Sequence, residues 1–283
     1  MSIPARKGQF VRIGPYRLSM RRSGHGPSVV LLHGIPTNSY LWRNVAPSLE
    51  SAGLEVITFD LLGYGDSDKP YDADLGVAAQ ARFIVDALDA IGWSHGHIVG
   101  HDIGGGVAQI VAIANPNTVA GLVLIDTIAY DSFPEPGIAR LKEPVWDGIL
   151  GAPDFDLKKG IAKGLARGMV HTDRVTPALI DAYERPFQGV EGRKAYLRAA
   201  RALRTEELAS RMAAVEALDT PTLIAWGAQD AFQPVAYGQR LAMAMPKAKL
   251  EIVTDAGHFL PEDAPERLSE LIGTFVKQSV LAL

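Results

Sequence analysis

Cysteine is absent from this 283-residue chain, which removes disulfides, thiolate nucleophiles and cysteine-ligated zinc from its possible chemistry. A positive surplus is missing as well. The net charge is −4, so nucleic acid is not expected as a partner. The opening residues MSIPARKGQF lack the apolar stretch of a secretory signal. No uninterrupted apolar run is long enough to cross a bilayer. A cytoplasmic protein without membrane contact is the expectation. Internal repeats and low-complexity segments are lacking too. What is present is ordinary globular composition, 47% hydrophobic and 21% charged, in a chain long enough for a large domain with an insertion.

Hydrophobic patterning predicts an α/β fold. Phe10–Ile13 and Tyr16–Met20 flank a Gly14-Pro15 turn and read as an opening hairpin. Short apolar runs follow at Val29–Leu32, Val56–Phe59, Ile98–Val99, Leu122–Ile125, Thr222–Trp226 and Leu250–Val253. Helical spacing separates them at Val77–Ile91 and Val107–Ala114, and Pro265–Val280 closes the chain as an amphipathic helix. Fully apolar strands alternating with helices imply a mostly parallel sheet covered on both faces. The alternation stops between about Asp131 and Val215, where Pro134, Pro136, Pro144 and Pro153 precede helical stretches such as Ala178–Tyr183 and Lys194–Glu207. The predicted organisation is therefore a core over 1–130, a helical cap over 131–215 and the rest of the core over 216–283. Open α/β sheets bind ligands at strand ends, where such a cap would lie.

Residues 100–104 read Gly-His-Asp-Ile-Gly, between an apolar run and a helix start. A G-x-nucleophile-x-G turn lifts its central side chain into a pocket. Here that side chain is Asp102, a carboxylate that needs no base to activate it. Asp is also a favoured helix N-cap, the bland alternative for this position.

Five stretches together resemble the α/β-hydrolase superfamily. His33-Gly34-Ile35-Pro36 resembles its oxyanion loop, Asp60–Ser67 its following turn, and Gly100–Gly104 its nucleophile elbow. Trp226–Asp230 is similar to the loop bearing its acid, and Ala256–Phe259 to the loop bearing its histidine. The order nucleophile, acid, histidine is the order of that fold. An Asp nucleophile resembles the haloalkane dehalogenase and epoxide hydrolase branch, a branch that coelenterazine-type luciferases share. The resemblance implies Asp102 as nucleophile, His258 as base and Asp230 as its partner, with Asp126 as the alternative partner. It also implies backbone N–H groups of Ile35 and Ile103 as the oxyanion hole.

Carboxylate attack on an acyl carbon would give a mixed anhydride, a poor hydrolytic route. Attack on a saturated carbon gives a stable alkyl ester, which water activated by His258 can cleave. The chain departs from the dehalogenase pattern at two halide-binding positions. A Trp after the nucleophile and an Asn after His-Gly are replaced by Ile103 and Ile35, whose side chains donate no hydrogen bonds. Epoxide opening needs instead an acid for the alkoxide, and Tyr183 and Tyr196 are the expected phenols. Tyr130 and His171 are further candidates for that acid, whereas Trp146 in the cap is a candidate hydrogen-bond donor to a departing halide. The expectation is an epoxide hydrolase acting on a hydrophobic small molecule without cofactor or metal. A dehalogenase-like hydrolase, a specialised biosynthetic hydrolase and a non-catalytic binding relative remain alternatives. A zinc site from His95, His97 and His101 is a further one. Oligomeric state is not legible.

Overall fold

The computed structural model describes residues 8–281. Eight strands form one sheet: β1 (Gln9–Ile13), β2 (Tyr16–Gly24), β3 (Ser28–Leu32), β4 (Glu55–Phe59), β5 (Gly96–His101), β6 (Val119–Ile125), β7 (Thr222–Gly227) and β8 (Ala248–Val253). Their order is β1-β2-β4-β3-β5-β6-β7-β8. β1 and β2 pair as an antiparallel hairpin, β2 runs antiparallel to β4, and all later pairs are parallel. Every residue of β3, β5 and β7 is buried, because helices cover both faces of a parallel sheet. β8 is half-exposed, as an edge strand can be.

The core helices are α1 (Ala46–Ser51), α2 (Val77–Ala90) and α3 (Ile103–Ala114). Between β6 and β7 come α4 (Pro136–Ala139), α5 (Val145–Gly151), α6 (Leu157–Gly168), α7 (Pro177–Glu184), α8 (Gly189–Arg201), α9 (Thr205–Ala209) and α10 (Met212–Glu216), with no strand among the described residues. The chain closes with α11 (Val235–Ala244), α12 (Leu260–Asp263) and α13 (Pro265–Leu281). The continuous helix expected over Lys194–Glu207 is instead broken between α8 and α9. Arg204 is extended there, with φ −128° and ψ 123°, and its guanidinium pairs with Asp74 in the core at 2.8 Å.

From β3 the chain crosses to β4 on one side, and it returns to β5 on the other. That reversal opens a crevice at the carboxyl ends of β3 and β5. The loops after β3, β5, β7 and β8 carry Ile35, Asp102, Asp230 and His258 respectively. Among the described residues, no helix is long and apolar enough to cross a membrane.

Candidate active site

Asp102 sits between β5 and α3 with φ 53° and ψ −122°, a left-handed conformation that L-residues rarely adopt. The turn is crowded on every side. A Cβ on Gly104 would lie 2.5 Å from the Leu32 and His33 carbonyl oxygens, and one on Gly34 would lie 2.4 Å from Asp102 Oδ1. Only glycine lets α3 and the β3 loop approach this closely. The Asp102 side chain makes no capping bond to its helix. Its Oδ1 instead accepts the Ile35 N–H at 3.0 Å, across the crevice. The bland N-cap reading fails on that geometry.

Burial raises the pKa of Asp102, while nearby His258 and the amides of Ile103 and Ile35 pull it back down. Of the two amides expected as an oxyanion hole, Ile35 makes a hydrogen bond to the free carboxylate, which leaves Oδ2 facing the imidazole. His258 Nε2 lies 3.7 Å from Asp102 Oδ2, beyond a hydrogen bond. On its other side, His258 Nδ1 lies 2.9 Å from Asp230 Oδ2. Asp230 is fixed in turn, since its Oδ1 accepts the N–H groups of Phe232 at 2.7 Å and Gln233 at 2.8 Å.

Asp126 is fully buried near this group but turns elsewhere. Its Oδ1 accepts the Gly227 N–H at 2.7 Å, and its Oδ2 has no partner. Burial and the charge of Asp230 raise its pKa well above the carboxylate range. The hydrogen bond to His258 therefore belongs to Asp230. Burial opposes charge on His258, but Asp230, Asp102 and Asp126 outweigh it and hold the pKa up at about 9.

Sequence reasoning offered His101 only as a zinc ligand and missed its contact with the histidine loop. Its Nε2 lies 2.7 Å from the His258 carbonyl oxygen, and burial pushes its pKa well below the usual range. A neutral ring donating from Nε2 thus anchors the backbone of the histidine loop. His33 works similarly: the Leu61 N–H donates to its Nε2 at 3.0 Å, so Nδ1 carries the proton and donates to the Gly34 carbonyl at 2.9 Å. His97 is buried against Phe275 at the far side, its pKa lowered to about 4 by burial. No group of three histidines or carboxylates among the described residues is arranged to hold a metal ion.

A cavity of about 1140 Å³ opens above Asp102 and His258. Ile35, Ile103, Phe133, Phe232 and Phe259 form apolar wall around the reacting groups, and α4 to α6 supply much of the remainder. Tyr196 and Trp146 line it, as expected for substrate-contacting residues. Burial raises the Tyr196 phenol to about 12, despite the opposing charge of Arg140.

The other proposed donors lie elsewhere. The Tyr183 hydroxyl donates to Glu262 at 2.5 Å, and Arg43 holds the same carboxylate at 2.6 and 2.7 Å. Tyr183 is thus corrected from a cavity phenol to part of a buried joint between α7 and the core. A buried carboxylate needs such partners, and it drew the phenol away from the cavity. Tyr130 donates to Glu216 at 2.9 Å, and His171 lies 3.2 Å from Asp255. Neither lines the cavity.

Comparison with known proteins agrees with this architecture. The alpha/beta hydrolase fold family matches residues 27–147. The chain is 30% identical to a 2-hydroxy-6-oxononadienedioate/2-hydroxy-6-oxononatrienedioate hydrolase of Paraburkholderia xenovorans, over 96% of each chain. It is 31% identical to haloalkane dehalogenase 2 of Mycobacterium bovis, over 88% of this chain and 87% of that protein. An alpha/beta hydrolase fold protein from Burkholderia ambifaria superposes with a TM-score of 0.86 at 27% identity, covering 94% of this chain and 97% of the other.

Proposed function

The chain belongs to the α/β-hydrolase family, and within it we propose an epoxide hydrolase that forms a covalent ester on Asp102. One observation carries this reading. The side chains flanking the carboxylate, Ile35 and Ile103, offer a departing halide no hydrogen bond, while the Tyr196 phenol shares the cavity.

Asp102 Oδ2 attacks a ring carbon, the C–O bond of the strained ring breaks, and the alkoxide takes the Tyr196 proton. His258, with its pKa near 9, is an imidazolium in the resting enzyme. Esterification removes the Asp102 charge that helps to hold this proton. The imidazole pKa therefore falls, and the released proton restores the Tyr196 phenol. Neutral His258 then takes a proton from water, whose oxygen adds to the carboxyl carbon. Oδ1, already against the Ile35 N–H at 3.0 Å, becomes the oxyanion. Collapse expels the diol, which takes the proton back from His258, and the second water proton, left on the Asp102 carboxyl, passes to His258 and restores the resting carboxylate and imidazolium. Asp230 keeps the Nδ1 proton in place throughout.

Intact-protein mass spectrometry of His258→Phe tests the reading, since that variant can form the ester but lacks the base to cleave it. An epoxide should add its entire mass. Addition of a haloalkane less its hydrogen halide would transfer the assignment to the dehalogenase reading, which the similarity to haloalkane dehalogenase 2 favours and for which Trp146 is the available donor. No adduct from either class would remove both. In an otherwise native chain, Tyr196→Phe should slow epoxide opening about 100-fold, the usual contribution of a positioned acid.

A further inference from the structure

The cavity is large and its lining is uneven. Its inner wall, around Asp102, is apolar, but the α6 side carries Lys159, Lys163 and Arg167 at four-residue spacing, hence on one face of the helix. Arg140 also lines it, its guanidinium stacked 5.2 Å over the Trp146 ring. Two of these four cations are neutralised. Arg167 pairs with Glu135 at 2.8 Å, and Lys159 with Asp156 at 3.4 Å. Arg140 and Lys163 are both exposed and have no ion-pair partner among the described residues. Arg140 is also near enough to the Tyr196 phenol to oppose its raised pKa, with Glu135 acting the other way.

Beside the cationic row, one position on, α6 carries Gly160 and Gly164. A Cβ on either would meet nothing within 4 Å. Glycine inside a helix costs stability relative to alanine, so no local preference explains these two. Both line the cavity, and they leave open space on α6 beside Lys159, Lys163 and Arg167. The volume of about 1140 Å³ exceeds the usual range for small-ligand sites.

From this arrangement we infer that the substrate is an amphipathic anion, a long apolar body against the inner wall with one acidic group held at the opening by Arg140 and Lys163. The inference rests on the proposed reaction at Asp102 and names its substrate class: an epoxide within a long chain ending in a carboxylate or a similar anionic head. The apolar wall accepts the chain, the glycine-bared face gives it room, and the unpaired cations select the charged end. An epoxide lacking the acid would fill the same wall but leave both cations to solvent.

Binding to the full-length protein tests this without chemistry. Decanoate and 1-decanol have the same chain and no reacting group, and calorimetry at low salt compares them. Two partly exposed cations should make decanoate about ten-fold tighter, with the gap narrowing as salt is raised. Arg140→Gln and Lys163→Gln together should bring the two ligands within about three-fold. Equal affinities, no measurable binding of decanoate, or a preference that survives both substitutions would overturn the inference. The ester-trapping experiment is independent. An epoxide adduct without preference for decanoate keeps the reaction and removes only the anionic substrate.

Discussion

The strand-end loops and the helical insertion between β6 and β7 are built on opposite terms. In the loops, each proposed reacting group is over-determined: Asp102 by the Ile35 amide, Asp230 by those of Phe232 and Gln233, His258 by Asp230 and His101. In the insertion, the cavity face has glycines in open space and, beside two paired cations, two without a carboxylate among the described residues. Fixed geometry is what a reaction needs, because misplacement of a base by an ångström is costly. A loosely filled wall is what choice among substrates needs, since it can change without disturbing the chemistry.

Substitutions can sharpen or break that contrast. The largest effect belongs to the loops. Asp230→Asn removes the charge that holds the His258 tautomer and should lower kcat about 10³–10⁴-fold, whereas Asp126→Asn, whose Oδ1 bond to Gly227 an amide oxygen can keep, should cost less than about 10-fold. Steady-state kinetics with the substrate found by ester trapping decides between them, and equal losses would contradict the assignment of Asp230.

Next in size is a pH effect on stability. The pKa of His258 is raised from 6.5 to about 9, so its ion pairing stabilises the fold fully below pH 6.5 and is lost as pH rises through 9. The Tm should fall across that window, by as much as about 3 kcal/mol of stability, and His258→Gln should flatten the slope. An unchanged slope would show that the imidazolium is not held as described.

At the joint between the regions, Tyr183→Phe removes a hydrogen bond to a carboxylate that Arg43 still holds. It should cost about 1–2 kcal/mol in denaturant unfolding while leaving the rate of adduct formation on His258→Phe within about three-fold. A large loss of rate would place Tyr183 in the reaction after all. The smallest effect lies in the insertion. Gly160→Ala should raise the unfolding free energy by about 0.5–1 kcal/mol, read as a higher denaturant midpoint, because α6 gains helix propensity and the new methyl meets nothing. A destabilised variant would mean that the open space is occupied.

Legibility in the sequence followed the same divide. Strand positions were readable because β3, β7 and the centre of β5 at Ile98–Val99 are buried on both faces and so are largely apolar. The elbow was readable because its conformation demands glycine at fixed offsets. The phenols were not. Tyr183 and Tyr196 have equivalent sequence credentials, and a carboxylate 79 residues beyond Tyr183 decided which of them faces the cavity. His101 stood beside Asp102 in the elbow run, but nothing in the sequence told that its ring would reach the His258 carbonyl 157 residues on. The break between α8 and α9 left no mark on the helical spacing of Lys194–Glu207.

Local physics in the sequence determined the alternation of strands and helices, the strained turn at Asp102, and the order in which carboxylates and imidazole come together. Those features depend on neighbours a few residues apart, through steric limits on backbone and periodic burial. Tertiary structure alone decided that Asp230 rather than Asp126 holds His258, that Tyr196 rather than Tyr183 lines the cavity, and that two cations along its lining have no ion-pair partner among the described residues. Each of these is a competition among distant groups for one hydrogen bond or one charge, and only the folded chain brings the competitors within reach.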